Sequence, residues 1–211
     1  MIRNSITIGD LRVVAVCKDN LRVQAESLLA ELRNVEAERG EGFLKDNVKI
    51  QFGWSLLTLK EEGGELVVHE PNFDGDPLRE TRGEVSCTLE VLAKQTNLVN
   101  ALGIEPSTVR FQDKLIVLKG CFQKRRIYME RKFANVGDSG WYVGDAETDE
   151  DVSPEYEGLR VFHLLKLRPV AMQFLVLPPG YLVVLDDEKV EAILNEKGQK
   201  LLLKALPAEL N

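Results

Sequence analysis

Apolar residues recur every three or four positions in two long segments, and this spacing predicts two amphipathic helices. The first helix is predicted over residues 19–40, with a possible cap at Asp19 or Asn20 and a stop at Gly40. Its apolar face comprises Leu21, Ala25, Leu28, Leu32 and Val35. The second is predicted over residues 82–103, and Gly103 and Pro106 are typical of a helix end. Its face comprises Val85, Leu89, Leu92, Thr96 and Val99.

Apolar and polar residues alternate in other segments, which predicts β-strands. One strand is predicted from residue 47 to 59, with a shared face of Val48, Ile50, Phe52, Trp54 and Leu56. Gly63-Gly64 then predicts a hairpin into a second strand. Further strands are predicted within residues 107–122 and 124–133, and a turn followed by a strand within 177–187.

Helical spacing returns near the C-terminus. It predicts a helix over residues 159–177 that Pro169 interrupts, and a final helix over 187–206. This order of elements predicts an α+β fold with mixed helices and mostly antiparallel strands, in one or two small α+β domains. A boundary is expected near 105–112, which gives an N-terminal α+β region of residues 1–110 and a second domain of residues 111–211.

The charge and the cysteines narrow the class of protein. The 211 residues carry a net charge of −7, which argues against nucleic-acid binding. No apolar run approaches the ~20 residues that span a bilayer, and the N-terminus does not resemble a signal peptide. Cys17, Cys87 and Cys121 are odd in number and form no CxxC pair, so neither a disulfide framework nor a zinc site is expected. We therefore expect reduced thiols and a cytoplasmic protein without membrane contact.

Residues for catalysis or metal binding are sparse, so we expect no enzyme, no cofactor and no metal. The motifs of phosphate-binding loops, dinucleotide folds, serine hydrolases and zinc proteases are absent from the sequence. His163 lies on an apolar helical face, which favours a structural histidine over a general base. Carboxylates cluster in 70–77 and 145–151, but neither segment has the spacing of an EF-hand, and 70–77 is expected to be a solvated loop.

A sharp change of charge marks residues 138–158. This stretch has eight acidic residues and no Lys or Arg, and it contains Trp141-Tyr142, whereas residues 119–132 carry six basic side chains. Two interpretations stay open, a solvated loop or a partner-binding face. On the second, Trp141 is expected to be more exposed than the structural Trp54. The binding residues are predicted to be Trp141, Tyr142, Asp145, Glu147, Asp149, Glu150 and Asp151.

Residues 113–190 resemble a bacterial immunity-protein family of polymorphic toxin systems, formerly a domain of unknown function. The resemblance rests on Ser139-Gly140-Trp141 before an acidic segment, on the "HLL" of residues 163–165, and on the "LPPGY" of residues 177–181. It implies a protein that binds and neutralises a cognate toxin. The acidic charge fits a basic toxin such as a nuclease. An adaptor or recruitment module associated with a secretion system is the alternative, and an enzyme acting on a cationic small molecule a third.

Overall fold

The structure is a computed structural model that describes residues 1–147 and 154–201. It has two compact units, Met1–Ala93 and Lys94–Asn211. Each contains helices and a mixed, mostly antiparallel sheet, which confirms the predicted α+β class. The division lies inside a helix, and the domain boundary near residue 110 stays a prediction.

The first unit is a sheet with one long helix. Its strands are β1 (Ile2–Ile8), β2 (Leu11–Cys17), β3 (Lys49–Phe52), β4 (Ser55–Glu62), β5 (Glu65–Pro71) and β6 (Thr81–Arg82). The order is β1-β2-β5-β4-β3, with β6 beside β5. Helix α1 (Arg22–Arg39) follows a short 3₁₀ turn at Asp19–Leu21. The predicted apolar stripe of α1 joins the core with residues such as Val13 and Leu59, so this helix is confirmed.

The single strand predicted over residues 47–59 is wrong, because the chain turns at Gly53-Trp54 and continues as a hairpin. Gly53 has φ 55°, and a Cβ there would lie 2.2 Å from Cδ2 of Leu92. Both the backbone angle and the space therefore require glycine. Trp54 is nevertheless fully buried and stacks on Phe73, with 5.0 Å between ring centroids. Its structural role is confirmed, but it belongs to a turn.

Helix α2 (Ser86–Leu102) is also as predicted, and a buried carboxylate holds its first turn. Glu70 accepts hydrogen bonds from the backbone N–H groups of Thr88 (2.7 Å) and Cys87 (3.3 Å). Arg82 pairs with Glu70 (2.8 Å) and with Asp74 (2.6 Å). Both of these carboxylates, which belong to the 70–77 segment, are thus engaged by groups of the protein itself. The negative charge of Glu70 is also favourable at the N-terminus of α2.

The second unit contains a six-stranded sheet in the order β10-β7-β9-β8-β11-β12. The strands are β7 (Lys114–Leu118), β8 (Arg126–Arg131), β9 (Asp138–Asp145), β10 (Tyr156–Arg160), β11 (Leu182–Asp186) and β12 (Lys189–Leu194). The predicted helix over 159–177 is broken into three short helical pieces, which are a 3₁₀ turn at Val161–His163, α3 (Leu164–Leu167) and a 3₁₀ helix at Pro169–Val176.

The predicted final helix is wrong over its described part. Residues 189–194 form β12, which pairs antiparallel with β11. Asp187 and Glu188 join the two strands, and Asp187 has φ 51°, as the tight turn of a hairpin requires. The register shifts between Val184, which pairs with Ala192, and Leu185, which pairs with Val190, so β12 has one extra residue at this point and its alternation is interrupted. Residues 202–211 of the prediction lie outside the described residues.

The second sheet has a buried face and an outer face. Alternate side chains of its strands are buried, among them Leu115, Val117, Ile127, Met129, Trp141, Val143, Val183 and Leu185. The residues between them, such as Ile116, Tyr128 and Tyr142, lie on the opposite face because strand side chains alternate. This alternation determines which of the predicted site residues can reach a partner.

Candidate functional site

Trp141 is not exposed, and the expectation that it would be is wrong. Only 1% of its surface is accessible, as against 0% for Trp54. Its indole N–H donates to the carbonyl oxygen of Leu175 (3.2 Å), which satisfies the ring's polar group in the core. The acidic stretch was expected to form a loop, but its first eight residues form strand β9 in the interior of the sheet. Trp141 faces the core from that strand.

Arg131 holds one of the segments that carry the sequence resemblance, residues 177–181. Its guanidinium is buried, and Nη1 donates to carbonyl oxygens including that of Leu175 (3.0 Å) and that of Leu177. Its own backbone N–H donates to the carbonyl of Tyr181 (2.9 Å), and its carbonyl accepts from Gly180 (2.7 Å). Burial lowers the pKa of Arg131 to about 10. Residues 177–181 are thus fixed to β8.

Gly140 permits a close approach of two backbones. Its φ is 74°, and a Cβ there would lie 2.2 Å from the carbonyl oxygen of Lys132. The Lys132 N–H donates to the Gly140 carbonyl (2.9 Å), and the Ser139 hydroxyl accepts from the Trp141 N–H (3.1 Å). These motif residues therefore determine the local fold rather than contact a partner.

Tyr142 points to the outer face, where it belongs to an aromatic row. Its ring centroid lies 5.3 Å from that of Tyr156 and 6.2 Å from that of Tyr128. Burial raises the pKa of Tyr142, and a side-chain hydrogen bond with Tyr156 raises it further. A Cβ at Gly144 would lie 2.5 Å from the ring of Tyr128, so glycine there lets this ring lie over the strand. The row is bordered by Ile116, which pairs with Tyr142 in the register of β7 and β9.

We call this surface the tyrosine face and define it as Ile116, Tyr128, Tyr142 and Tyr156. Ile116 is 42% exposed and Tyr156 is 47% exposed, while the other two are partly buried. Tyrosines that are fixed on a sheet present rigid amphipathic area at small entropic cost, which favours protein recognition.

The predicted acidic residues do not act as one group. The side chain of Asp145 is only 9% exposed, and it accepts a hydrogen bond from the Glu147 N–H (2.9 Å) and lies 3.5 Å from Nζ of Lys124. Asp145 therefore stabilises the end of β9. Glu147 is exposed. Asp149, Glu150 and Asp151 lie outside the described residues.

The abrupt change of charge in the sequence is largely compensated within the second unit. Lys119 pairs with Glu155 (2.9 Å), and Lys132 with Glu130 (3.3 Å). Two arginines form two-point ion pairs with strands β11 and β12, Arg125 with Asp186 and Arg126 with Glu191. Lys119 thus pairs with an acid of the 138–158 stretch, whereas Arg125 and Arg126 pair with acids of the β11–β12 hairpin.

Sequence reasoning missed the most exposed apolar residues. Phe133 is 91% exposed and Val136 is 99% exposed, the highest values for large apolar side chains among the described residues. Both lie in the segment that connects β8 to β9, which we call the 132–137 loop. The sequence predicted a strand that continued to Phe133, but β8 ends at Arg131. The Asn-Val-Gly turn sequence at 135–137 was the available signal.

The groups considered for catalysis have structural roles or are buried. The backbone N–H of Arg160 donates to Nδ1 of His163 (3.0 Å), and the ring stacks on Phe162. The cysteines are free thiols, and burial raises the pKa of Cys121 to about 11 and that of Cys87 to about 12. Within residues 1–147 and 154–201, no cluster of His, Cys, Asp and Glu is arranged to hold a metal ion. In the same residues, no helix combines the length and apolarity that crossing a bilayer needs.

Residues 94–196 match the family model of the Imm33-like domain, which is a little under half of the chain. Comparison with the curated proteins and with the solved structures gives no match. The family match includes the 113–190 segment, but it does not test the SGW, HLL and LPPGY pattern, which stays a prediction. It suggests that residues 94–196 are similar to an immunity-protein-like family.

Proposed function

We propose that the protein is a cytoplasmic immunity protein that binds and neutralises a cognate protein toxin without catalysing a reaction. The family match of residues 94–196 supports the class of function. The tyrosine face is the observation that carries the proposed site, because it puts partly exposed aromatic and aliphatic side chains side by side on an ordered sheet. Such residues provide much of the binding energy of protein interfaces.

Charge favours a basic toxin. The chain has a net charge of −7, and two exposed acidic residues are Glu147, just after β9, and Glu157, within β10. Together with Asp149, Glu150 and Asp151 they would attract a cationic surface and speed its encounter. A nuclease is the toxin class we favour, because its substrate groove must be basic to hold phosphates.

The residues predicted from the sequence then divide by role. Tyr142 and Glu147 are proposed as contact residues, and Asp149, Glu150 and Asp151 as attracting charges. Trp141 and Asp145 are held inside the unit and support the strand that presents Tyr142.

Co-expression with the candidate toxin domain encoded next to this gene tests the proposal. We expect the wild-type protein to restore growth and to co-purify with the toxin. Ile116→Lys puts a cation on the tyrosine face and should weaken both effects, whereas Val23→Lys, at a position 68% exposed on α1, is the matched control. Toxicity that the wild-type protein does not relieve would refute the immunity function. Co-purification with a secretion component, without protection, would support the adaptor function instead.

A further inference from the structure

The 132–137 loop exposes apolar side chains next to the tyrosine face. Phe133 and Val136 are almost fully accessible, and the five residues from 133 to 137 carry no charge. Exposure of large apolar side chains to water is unfavourable, because their burial would lower the free energy. Clusters of such exposed side chains mark contact sites in soluble proteins.

The backbone of this loop is fixed at both ends. The backbone N–H of Lys132 donates to the Gly140 carbonyl (2.9 Å), and the backbone N–H of Lys114 on β7 donates to the Gly137 carbonyl (3.0 Å). Within the loop, Asp138 donates to the Asn135 carbonyl (3.1 Å). A loop held in this way loses little conformational entropy when it binds, so the exposed side chains act as a preorganised contact.

We propose that Phe133 and Val136 enter an apolar pocket of the toxin and that this contact sets the dissociation rate of the complex. The proposal rests on the proposed immunity function and adds a second class of contact to it. Acidic residues act over a distance and set the association rate, while desolvated apolar contacts at close range slow release. The toxin is therefore expected to carry an apolar pocket beside its basic surface.

The local charges favour a protein partner over a membrane. Lys132, the cation next to Phe133, is paired with Glu130 (3.3 Å), so its charge is offset locally and attracts anionic lipid less than an unpaired cation would. Glu130 in turn lies opposite Tyr142 in the register of β8 and β9. The loop and the tyrosine face are thus joined through this ion pair, and one partner can cover both.

Binding kinetics with the purified toxin domain, at low and high salt, test the proposal. The double variant Phe133→Ser/Val136→Ser should raise the dissociation rate by about tenfold or more, with the association rate changed less than about threefold at either salt concentration. Phe133→Leu keeps an apolar side chain and should retain most of the affinity. Leu78→Ser, at another exposed apolar loop position, is the control. Circular dichroism and thermal melting show that each variant is folded.

The outcomes separate the two proposals. A folded double variant that dissociates like the wild type would overturn the role of the loop and leave the immunity function intact. A wild-type protein that neither binds nor protects would overturn both. Two further results would also overturn the proposed role: wild-type binding to phosphatidylglycerol vesicles that the double variant loses, or wild-type self-association in sedimentation that the double variant abolishes.

Discussion

Arg131 and Trp141 lie opposite each other on β8 and β9 and share one acceptor, the carbonyl oxygen of Leu175. The guanidinium carbon lies 5.8 Å from the centroid of the indole ring, within the range of a cation–π contact. The pair joins the sheet to the 3₁₀ helix that ends at Val176. Two residues from a region that reads as charged and exposed in the sequence therefore form part of the core.

Replacing Arg131 with Met should destabilise the protein by about 3 kcal/mol, because buried carbonyl groups lose their donor. The carbonyl groups of Leu175 and Leu177 are among them. Urea unfolding monitored by tryptophan fluorescence measures the effect. Arg125→Met removes an arginine with an exposed ion pair and should shift the midpoint much less. Equal shifts for the two variants would contradict the structural role of Arg131.

Gly140→Ala should destabilise the protein more than Gly137→Ala. Both glycines have positive φ, at 74° and 89°, so alanine at either position is strained by about 1–3 kcal/mol. Only at Gly140 does the added Cβ also meet a backbone atom, the carbonyl oxygen of Lys132 at 2.2 Å. Thermal melting of the two variants provides the comparison. Similar losses of stability in the two variants would mean that the backbones at Gly140 and Lys132 can move apart without a cost in free energy.

Trp54→Ala should cost about 3–5 kcal/mol of stability, as expected for removal of a large buried ring. Trp54 is fully buried, stacks on Phe73 and donates from its indole nitrogen to the Thr88 carbonyl (3.4 Å). Chemical denaturation checks the value. A variant with the stability of the parent would show that the turn at Gly53-Trp54 can repack.

Alkaline pH should weaken the native state through its buried thiols. The pKa of Cys121 is raised to about 11 by burial, whereas the unfolded thiol titrates near 9. The stabilising contribution of the protonated thiol is therefore complete below pH 9 and is lost as the pH rises through 11. Cys121→Ala should reduce the fall in unfolding free energy between pH 8.5 and 11. An unchanged pH dependence would mean that this thiol does not titrate differently in the two states.

Neutralising Glu147 and the acidic residues at 149–151 should slow toxin binding and reduce its salt dependence. The variant carries Glu147→Gln, Asp149→Asn, Glu150→Gln and Asp151→Asn, and it keeps Asp145, because that side chain supports the end of β9. Long-range attraction depends on this local charge, whereas exposed carboxylates change stability by only about ±0.5 kcal/mol each. Stopped-flow kinetics at two ionic strengths measures the association rate. A variant with the parent's rate and salt response would show that these residues only solvate the surface.

The periodicity of apolar residues correctly predicted those elements whose structure follows from their own sequence. Helices α1 and α2 carry apolar residues at helical spacing, interrupted in α2 by the exposed Thr96, so each could be predicted from its own residues. The predicted site depended on neighbours that periodicity does not show. Trp141 is buried because its side chain lies on the face of β9 that contacts Leu175, and Phe133 is exposed because β8 ends two residues earlier. The final helix was wrong over its described part because residues 189–194 pair with β11.

The alternation of buried and outward side chains along β9 determines which of its positions can be substituted without disturbing the fold. Trp141 and Val143 belong to the face that holds the unit together, while Tyr142, between them, belongs to the face that a partner can touch. If the proposed function holds, substitutions at the outward positions, and at Phe133 and Val136, should alter recognition with little effect on folding. We then expect that a library restricted to these positions can be selected for protection against a different toxin while the scaffold stays the same.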